Sequence, residues 1–367
     1  MRALWSAAAI IVAMIAQQPA SSSRPRARDL GIAPGVMQPG PLNAITDVAG
    51  VLVGQVTIAS GSARTGVTAI LPHGGNLFRE KVPGAVFVGN AFGKLAGSTQ
   101  VDELGTIETP IVLTNTLSIG TAVEAVVRWT LAQKGNENVR SVNALVGETN
   151  DGSLNDIRGF HVTQEHVASA IGAARAGAVD EGAVGAGTGT IAFGWKGGIG
   201  TSSRRVPQQG DTWTVGVLVQ TNYGGRLVMD GLPLWKLLTA GGAPPAADGS
   251  CMVVVATDAP LDARDLKRLA ARAIFALART GSTYSNGSGD FAIAFSTHQA
   301  LRVTPAERPQ PRALLTTDNV SALFEAALDA TEEAVYNSLL KATDTTANGR
   351  TVAALPIDRL KELLSHR

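Results

Sequence analysis

Short apolar runs and longer amphipathic stretches alternate along this chain. Runs at 51–58, 84–89, 214–220, 251–256 and 291–295 are rich in β-branched residues and are bounded by turn-forming residues. Runs of this length and composition are typical of buried or half-buried β-strands. The pattern therefore predicts several short strands that pass through a core.

Other stretches carry apolar residues at helical spacing. One predicted helix covers 121–134 and another covers 320–342. A third begins after Asp262, a suitable N-cap, and ends at Gly281. The only clear linker among these elements is the Pro-, Gly- and Ala-rich segment 241–249, so the sequence predicts a single α/β domain.

The pair Gly249-Ser250 lies where that linker meets the apolar run 251–256. Ser250 is therefore predicted to be the first residue of a core strand, held rigidly at its end. This placement suits self-cleavage between Gly249 and Ser250, which would make Ser250 a new N-terminus. Gly249 lacks a Cβ, so it can adopt strained backbone angles and leaves its carbonyl open to attack. An ordinary loop-to-strand turn would also account for the pair alone.

An N-terminal serine carries both a nucleophile and a base. Its α-amine has a pKa of about 7.7–8, which suits proton transfer near neutral pH. Such an amine can activate a neighbouring hydroxyl nucleophile. Before cleavage the same nitrogen belongs to an amide and cannot accept a proton. Cleavage at Ser250 would therefore create the catalytic base.

The first residues have the composition of a secretory signal. Arg2 precedes the uncharged, largely apolar stretch Ala3–Ala16, and a polar segment follows it. A stretch of about 14 residues is short for a bilayer core of about 30 Å. We predict a signal peptide over approximately residues 1–23 and export, in a bacterium to the periplasm. A buried N-terminal helix and an uncleaved anchor are the alternatives.

Charge and cysteine content exclude some functions. The chain has 31 Lys and Arg residues against 30 Asp and Glu residues, and no basic run with interleaved aromatic residues, so we expect no nucleic-acid partner. Cys251 is the only cysteine, which rules out an internal disulfide. Because successive side chains in a strand point to opposite faces, Cys251 is expected to face away from Ser250. The histidines show no metal-binding spacing, and we expect no metal or cofactor.

Several sequence blocks resemble, in order and spacing, the DmpA-like family of N-terminal-serine aminopeptidases, which includes L-aminopeptidase/D-amidase/D-esterases and β-peptidyl aminopeptidases. The resemblance extends from about Asp29 to Leu364. Its blocks are Pro41–Val48, Thr109–Thr116, Gly147–Gly152, Lys196–Arg204, Val219–Gly224, the Gly249-Ser250 pair and Gly287–Asp290.

The resemblance implies roles for residues around the nucleophile. Ser288 and Asp290 match the serine and carboxylate that support it, although the family more often has Glu at the second position. Asn222 matches the asparagine that stabilises the oxyanion. Glu148 matches the carboxylate that binds the substrate's free amino group. Asn150 stands where some members carry a tyrosine that assists the oxyanion.

The resemblance also implies an architecture and a substrate class. We expect a four-layer αββα sandwich, cleaved into chains 24–249 and 250–367 of one domain, and assembled as a homo-oligomer, a tetramer of cleaved units in the family. The expected substrates are short peptides, amides or esters with a free amino end. A nylon-oligomer-type amidase is one alternative, although those enzymes, like ornithine acetyltransferases, typically use threonine. The other is a catalytically inactive periplasmic binding protein of the same fold.

A glycine-rich segment suggests a different ligand. Gly185, Gly187 and Gly189 superficially resemble a dinucleotide-binding fingerprint. The full spacing is absent, and a strand-like run follows where that motif requires a helix. The sequence therefore argues against nucleotide binding here.

Overall fold

A computed structural model describes residues 24–208, 210–239, 249–305 and 311–366. The predicted signal peptide and most of the linker 241–249 lie outside these ranges. Within them, no helix combines the length and apolar character needed to cross a membrane.

The helices agree with the periodicity of the sequence. Asp262 accepts a hydrogen bond from the Asp265 main-chain N–H (3.1 Å) as the N-cap of the predicted third helix, and Gly281 ends that helix with a φ of +105°. The described helices are α1 (Ser98–Leu104), α2 (Ile119–Leu131), α3 (Gln164–Gly172), α4 (Leu234–Leu237), α5 (Ala263–Thr280), α6 (Ser321–Leu340) and α7 (Ile357–Ser365).

Most of the described strands belong to two mixed sheets. The strands are β1 (Leu52–Ile58), β2 (Thr65–Leu71), β3 (Val82–Ala91), β4 (Leu95–Ala96), β5 (Thr106–Ile107), β6 (Ile111–Asn115), β7 (Leu145–Thr149), β8 (Ile191–Ala192), β9 (Trp195–Lys196), β10 (Ile199–Gln208), β11 (Asp211–Asn222), β12 (Ser250–Thr257), β13 (Gly289–Ser296), β14 (Thr345–Ala347) and β15 (Arg350–Val352). One sheet has the order β1-β2-β6-β7-β4 and the other β10-β11-β12-β13-β3-β5.

Three apolar cores separate four layers. One core lies between α5–α6 and the six-stranded sheet, and includes Val253 and Leu269. The central core lies between the two sheets, with Met252 facing residues such as Leu113. The third packs α2 and α3 on the outer face of the five-stranded sheet. This is the predicted αββα sandwich.

Strand β12 lies inside the six-stranded sheet and is buried along its whole length. It pairs antiparallel with β11 and parallel with β13. Both faces of such a strand meet apolar layers, which explains its nearly continuous apolar sequence. The fold therefore holds Ser250, the first residue of β12, at one edge of the sandwich between two neighbouring strands.

Candidate active site

Ser250 lies against the carbonyl of the residue before it. Its side chain is buried, and Oγ donates a hydrogen bond to the Gly249 carbonyl oxygen (2.6 Å). The main-chain N–H of Gly289, on β13, donates to the same oxygen (3.1 Å). The Gly249 carbonyl oxygen thus accepts two hydrogen bonds, one of them from the Ser250 hydroxyl.

Gly249 packs closely against the end of β11. A Cβ at this position would lie 2.2 Å from the Asn222 carbonyl oxygen and 2.5 Å from the Tyr223 Cα. Close packing of two main chains therefore excludes a side chain at this position.

Asn222, the last residue of β11, is directly opposite Ser250 in the antiparallel ladder. Opposite residues share a face of the sheet and have Cβ atoms about 4.5–5.5 Å apart. The Asn222 amide is held at both ends: Oδ1 accepts from the Ile191 N–H (3.0 Å), and Nδ2 donates to the Asn150 carbonyl oxygen (2.9 Å). The second contact uses one of the two hydrogens of Nδ2.

Ser288 and Asp290 form a buried pair next to Ser250. Ser288 Oγ donates to Asp290 Oδ2 (2.9 Å), so the shorter carboxylate reaches the serine. Gly289, between them, is the register partner of Ser250 in the parallel ladder. By strand alternation the two side chains lie on the opposite face from the Ser250 hydroxyl. They therefore border the main chain of Ser250 and Cys251. Cleavage before Ser250 would turn the Ser250 nitrogen into an amine at this position.

Burial governs the ionisation of Asp290. Removal from water raises the pKa of this carboxyl to about 6, while the Ser288 hydroxyl and the Cys251 main-chain N–H favour the charged form. Among the described residues, Oδ1 has no hydrogen-bond partner of good geometry. Asp290 is therefore protonated more easily than an exposed aspartate.

Cys251 faces away from the Ser250 side chain. It is fully buried in the core beneath α5 and α6, whereas Met252 belongs to the core between the sheets. Burial, and then the nearby charge of Asp290, raise the pKa of the Cys251 thiol well above its usual value. A neutral buried thiol does not compete with Ser250 as a nucleophile.

Glu148, on β7, lies across a narrow gap from Gly289. A Cβ on the intervening Gly93 would be 3.3 Å from the Gly289 Cα and 3.4 Å from Glu148 Oε1. Oε1 accepts from the Lys94 main-chain N–H (2.9 Å), with Lys94 Nζ at 3.5 Å, and Oε2 accepts from the Thr116 hydroxyl. Two neutral donors thus orient this nearly inaccessible carboxylate, which is suited to bind a cation.

The structure brings together the residues that the sequence proposed, with one difference at Asn150. The side chain of Asn150 is exposed and accepts from the Gly152 N–H, so its main-chain carbonyl is the group that contacts Asn222. Sequence reasoning missed the contributions of Lys94 and Ile191. Both residues donate main-chain N–H groups, which any residue type could supply.

No metal site accompanies these residues. In the part of the chain that the structure describes, no three His, Cys, Asp or Glu side chains are grouped so as to hold a metal ion.

Comparisons with known proteins identify the family of the chain. The model of peptidase family S58 matches residues 43–352, more than half of the chain. The chain belongs to peptidase family S58. This S58 peptidase is also 43% identical over 384 residues to the β-peptidyl aminopeptidase BapA of Sphingosinicella microcystinivorans, covering 97% of this chain and 96% of that protein.

Solved structures of similar proteins share the fold. The PH0078 protein of Pyrococcus horikoshii OT3 is 47% identical, with a TM-score of 0.88, covering 93% of this chain and 99% of that one. The L-aminopeptidase D-Ala-esterase/amidase of Ochrobactrum anthropi is 38% identical, with a TM-score of 0.86, covering 94% and 99%, and is described as a serine aminopeptidase with a variant of the Ntn-hydrolase fold. The S58 peptidase is thus a serine-type aminopeptidase, and the predicted family and fold are confirmed.

Proposed function

We propose that this S58 peptidase cleaves itself between Gly249 and Ser250 and then uses Ser250 to release N-terminal residues from short peptides, amides or esters. The observation that carries the proposal is the contact of Ser250 Oγ with the Gly249 carbonyl oxygen at 2.6 Å. The hydroxyl lies beside a carbonyl that the Gly289 N–H also polarises.

In the proposed self-cleavage, Ser250 Oγ attacks the Gly249 carbonyl carbon. Negative charge develops on the carbonyl oxygen, which the Gly289 N–H stabilises. The C–N bond breaks, the proton of the Ser250 hydroxyl passes to the released nitrogen, and Gly249 is left esterified to Ser250 Oγ. Water then hydrolyses the ester, which releases the Gly249 carboxylate and leaves Ser250 with a free hydroxyl and a free α-amine.

In turnover the same hydroxyl attacks the substrate. The Ser250 α-amine accepts the hydroxyl proton and passes it to the leaving group, and water hydrolyses the resulting acyl-enzyme. Asn222 stabilises the oxyanion with the Nδ2 hydrogen that Asn150 does not use. The Ser288–Asp290 pair borders the new amine and orients it.

Glu148 is proposed to bind the substrate's ammonium group. Its carboxylate is 2% exposed and lies next to the segment that packs on Gly289. The half-exposed Lys94 ammonium, 3.5 Å from Oε1, is a weak partner that an incoming cation can replace. Recognition of a free amino end close to Gly289, the register partner of Ser250, would limit cleavage to the first residue.

Relatives guide the choice of substrate. Because one relative is named a β-peptidyl aminopeptidase and another an L-aminopeptidase D-Ala-esterase/amidase, we propose that N-terminal β-amino acids are accepted along with small α-amino acids. We also propose that residues 1–23 direct export to the periplasm and that cleaved units assemble into a homo-oligomer.

The decisive experiment combines chain analysis with kinetics. Wild type should give two chains on a denaturing gel, with the smaller beginning at Ser250 by N-terminal sequencing. Ser250→Ala should remain one chain and be inactive, while the neighbouring control Cys251→Ala should be processed. The purified enzyme should hydrolyse the p-nitroanilides of free β-alanine and L-alanine, and act poorly on their N-acetyl forms.

The alternatives give different results. A folded wild type that stays one chain without turnover would identify an inactive binding protein of the same fold. Efficient hydrolysis of N-acetyl amides would indicate a nylon-oligomer-type amidase and remove the aminopeptidase specificity.

A further inference from the structure

The glycine-rich segment 185–189 and the two residues after it lie against the oxyanion asparagine. Ile191 donates its N–H to Asn222 Oδ1, and this contact fixes which end of the amide carries oxygen. The other end, Nδ2, is fixed by the Asn150 carbonyl. The orientation of Asn222 thus depends on where two main-chain segments are placed.

A buried lysine holds the first of these segments. Lys196 is fully buried, and Nζ donates to the carbonyl oxygens of Gly187 (2.9 Å), Thr190 (2.8 Å) and Gly197 (2.9 Å). All three ammonium hydrogens are therefore used on main-chain acceptors. Burial of a charged ammonium group costs free energy, and the three hydrogen bonds offset this cost.

The segment is packed too closely for side chains. A Cβ on Gly187 would lie 2.5 Å from the Ile199 nitrogen, and one on Gly189 would lie 2.0 Å from the Arg64 carbonyl oxygen. The glycines therefore allow the turn to fit beneath Asn222, which gives the fingerprint-like segment a role other than nucleotide binding.

A buried carboxylate accompanies the second segment. Asp151 directly follows Asn150, is 1% exposed, and accepts from Asn155 Nδ2 at Oδ1 (3.0 Å). Among the described residues, its Oδ2 has no hydrogen-bond partner of good geometry, and the Thr65 hydroxyl is near the carboxylate. A Cβ on Gly189 would be 2.9 Å from the Asp151 Cβ, so the two segments are in contact.

We infer that Lys196 and Asp151 are positioning residues that orient the Asn222 amide toward the oxyanion, Lys196 through the turn 187–191 and Asp151 through Asn150. The inference rests on the proposed oxyanion role of Asn222. Electrostatics agree with the geometry: burial lowers the pKa of Lys196 to about 7 and the charge of Asp151 opposes this change, while burial raises the pKa of Asp151 to about 6.

The test compares Lys196→Met and Asp151→Asn, each made in wild type and in an Asn222→Ala background. Rates are expressed per mole of processed enzyme, counted from the gel. Asp151→Asn keeps the side-chain shape, so it decides the outcome where Lys196→Met does not fold. Asp258→Asn is the matched control, because Asp258 is partly buried, accepts from the Thr214 N–H (2.7 Å) and follows the opposite end of β12.

In wild type, Lys196→Met and Asp151→Asn should lower kcat by roughly 10-fold or more with KM within about 2-fold, since small displacements of a catalytic group cost this much. In Asn222→Ala they should cause no further loss, because residues that act through one group are not additive. The control should leave kcat unchanged.

An equal fold-loss in both backgrounds, or a change confined to KM, would overturn the inference while leaving the role of Asn222 intact. A normal kcat for Asn222→Ala alone would instead remove the oxyanion role and the inference with it.

Discussion

Asp290 offers a test in which activity and stability should move in opposite directions. The perturbation is Asp290→Asn, introduced into the Ser250→Ala chain so that unfolding involves one uncut polypeptide. The substitution removes a charge that is fully buried, yet keeps nearly the same shape and an oxygen that can accept from Ser288. In the processed enzyme the same substitution should lower turnover, because a neutral amide, unlike the carboxylate, does not favour the charged form of the neighbouring Ser250 α-amine.

The magnitude follows from the raised pKa. A pKa of about 6 in the folded chain, against about 3.9 unfolded, means that the native state binds the proton more tightly. The carboxyl therefore costs little stability below about pH 4, and the cost grows as the pH rises from about 4 to about 6 and then levels off. About 2 pKa units correspond to about 3 kcal/mol at pH 7.5, of which about 0.5 kcal/mol is already present at pH 4.

The assay is urea denaturation of the Ser250→Ala chain and of its Asp290→Asn derivative at pH 4 and pH 7.5. The free energy of unfolding of the derivative, relative to its parent, should increase by about 2–3 kcal/mol between the two pH values. Asp318→Asn, at an exposed position, should show no such increase. A difference that stays constant with pH would refute the reasoning, because Asp290 would then be charged or neutral alike in both states.

Other substitutions test single contacts by steady-state kinetics. Asn222→Ala should lower kcat by roughly 10²–10³-fold with little change in KM, as for other oxyanion donors; an effect on KM alone would assign it to substrate binding. Glu148→Gln should raise KM for free-amine substrates by roughly 10-fold or more without blocking self-cleavage, which a gel would show. Lys94→Met should lower that KM a few-fold, by roughly the strength of an exposed ion pair, and a raised KM would contradict competition with the substrate. Ser288→Ala should slow turnover or self-cleavage, and normal rates of both would exclude it from the site.

Hydrophobic periodicity predicted the elements of which each face meets a single environment, either an apolar layer or solvent. The third helix was readable from its cap, its apolar stripe and its final glycine, and it is α5. The predicted strand after Ser250 is β12, because both of its faces meet apolar layers. Local sequence and tertiary packing impose the same pattern at these positions.

Helix α6 shows where periodicity is insufficient. The sequence predicted one apolar face, but nearly the whole helix is buried, including Glu333 and Asn337. Glu333 pairs with the buried Arg204 (2.7 Å), and Asn337 accepts from the Ala27 N–H (2.9 Å). These partners are more than 100 residues away, so the local sequence assigns such polar residues to the surface.

In the candidate active site, the sequence could predict the side chains but not the main-chain donors. Ser250, Asn222 and the Ser288–Asp290 pair could be proposed because residue type carries their chemistry. The donors that orient them are the N–H groups of residues such as Gly289, Ile191 and Lys94, and residue type does not reveal these.

Glycine gives an indirect sign of such main-chain contacts. Close approach of two backbones excludes a Cβ, and at Gly93, Gly249 and Gly289 an added Cβ would lie 2.2–3.1 Å from the nearest atom of another segment. All three lie around the Ser250 position, on different strands or loops. These glycines therefore mark where main chains converge around Ser250, and positive φ is not what they share. Clustered glycines near a serine at a strand end are therefore a sequence sign of close main-chain contacts around that serine.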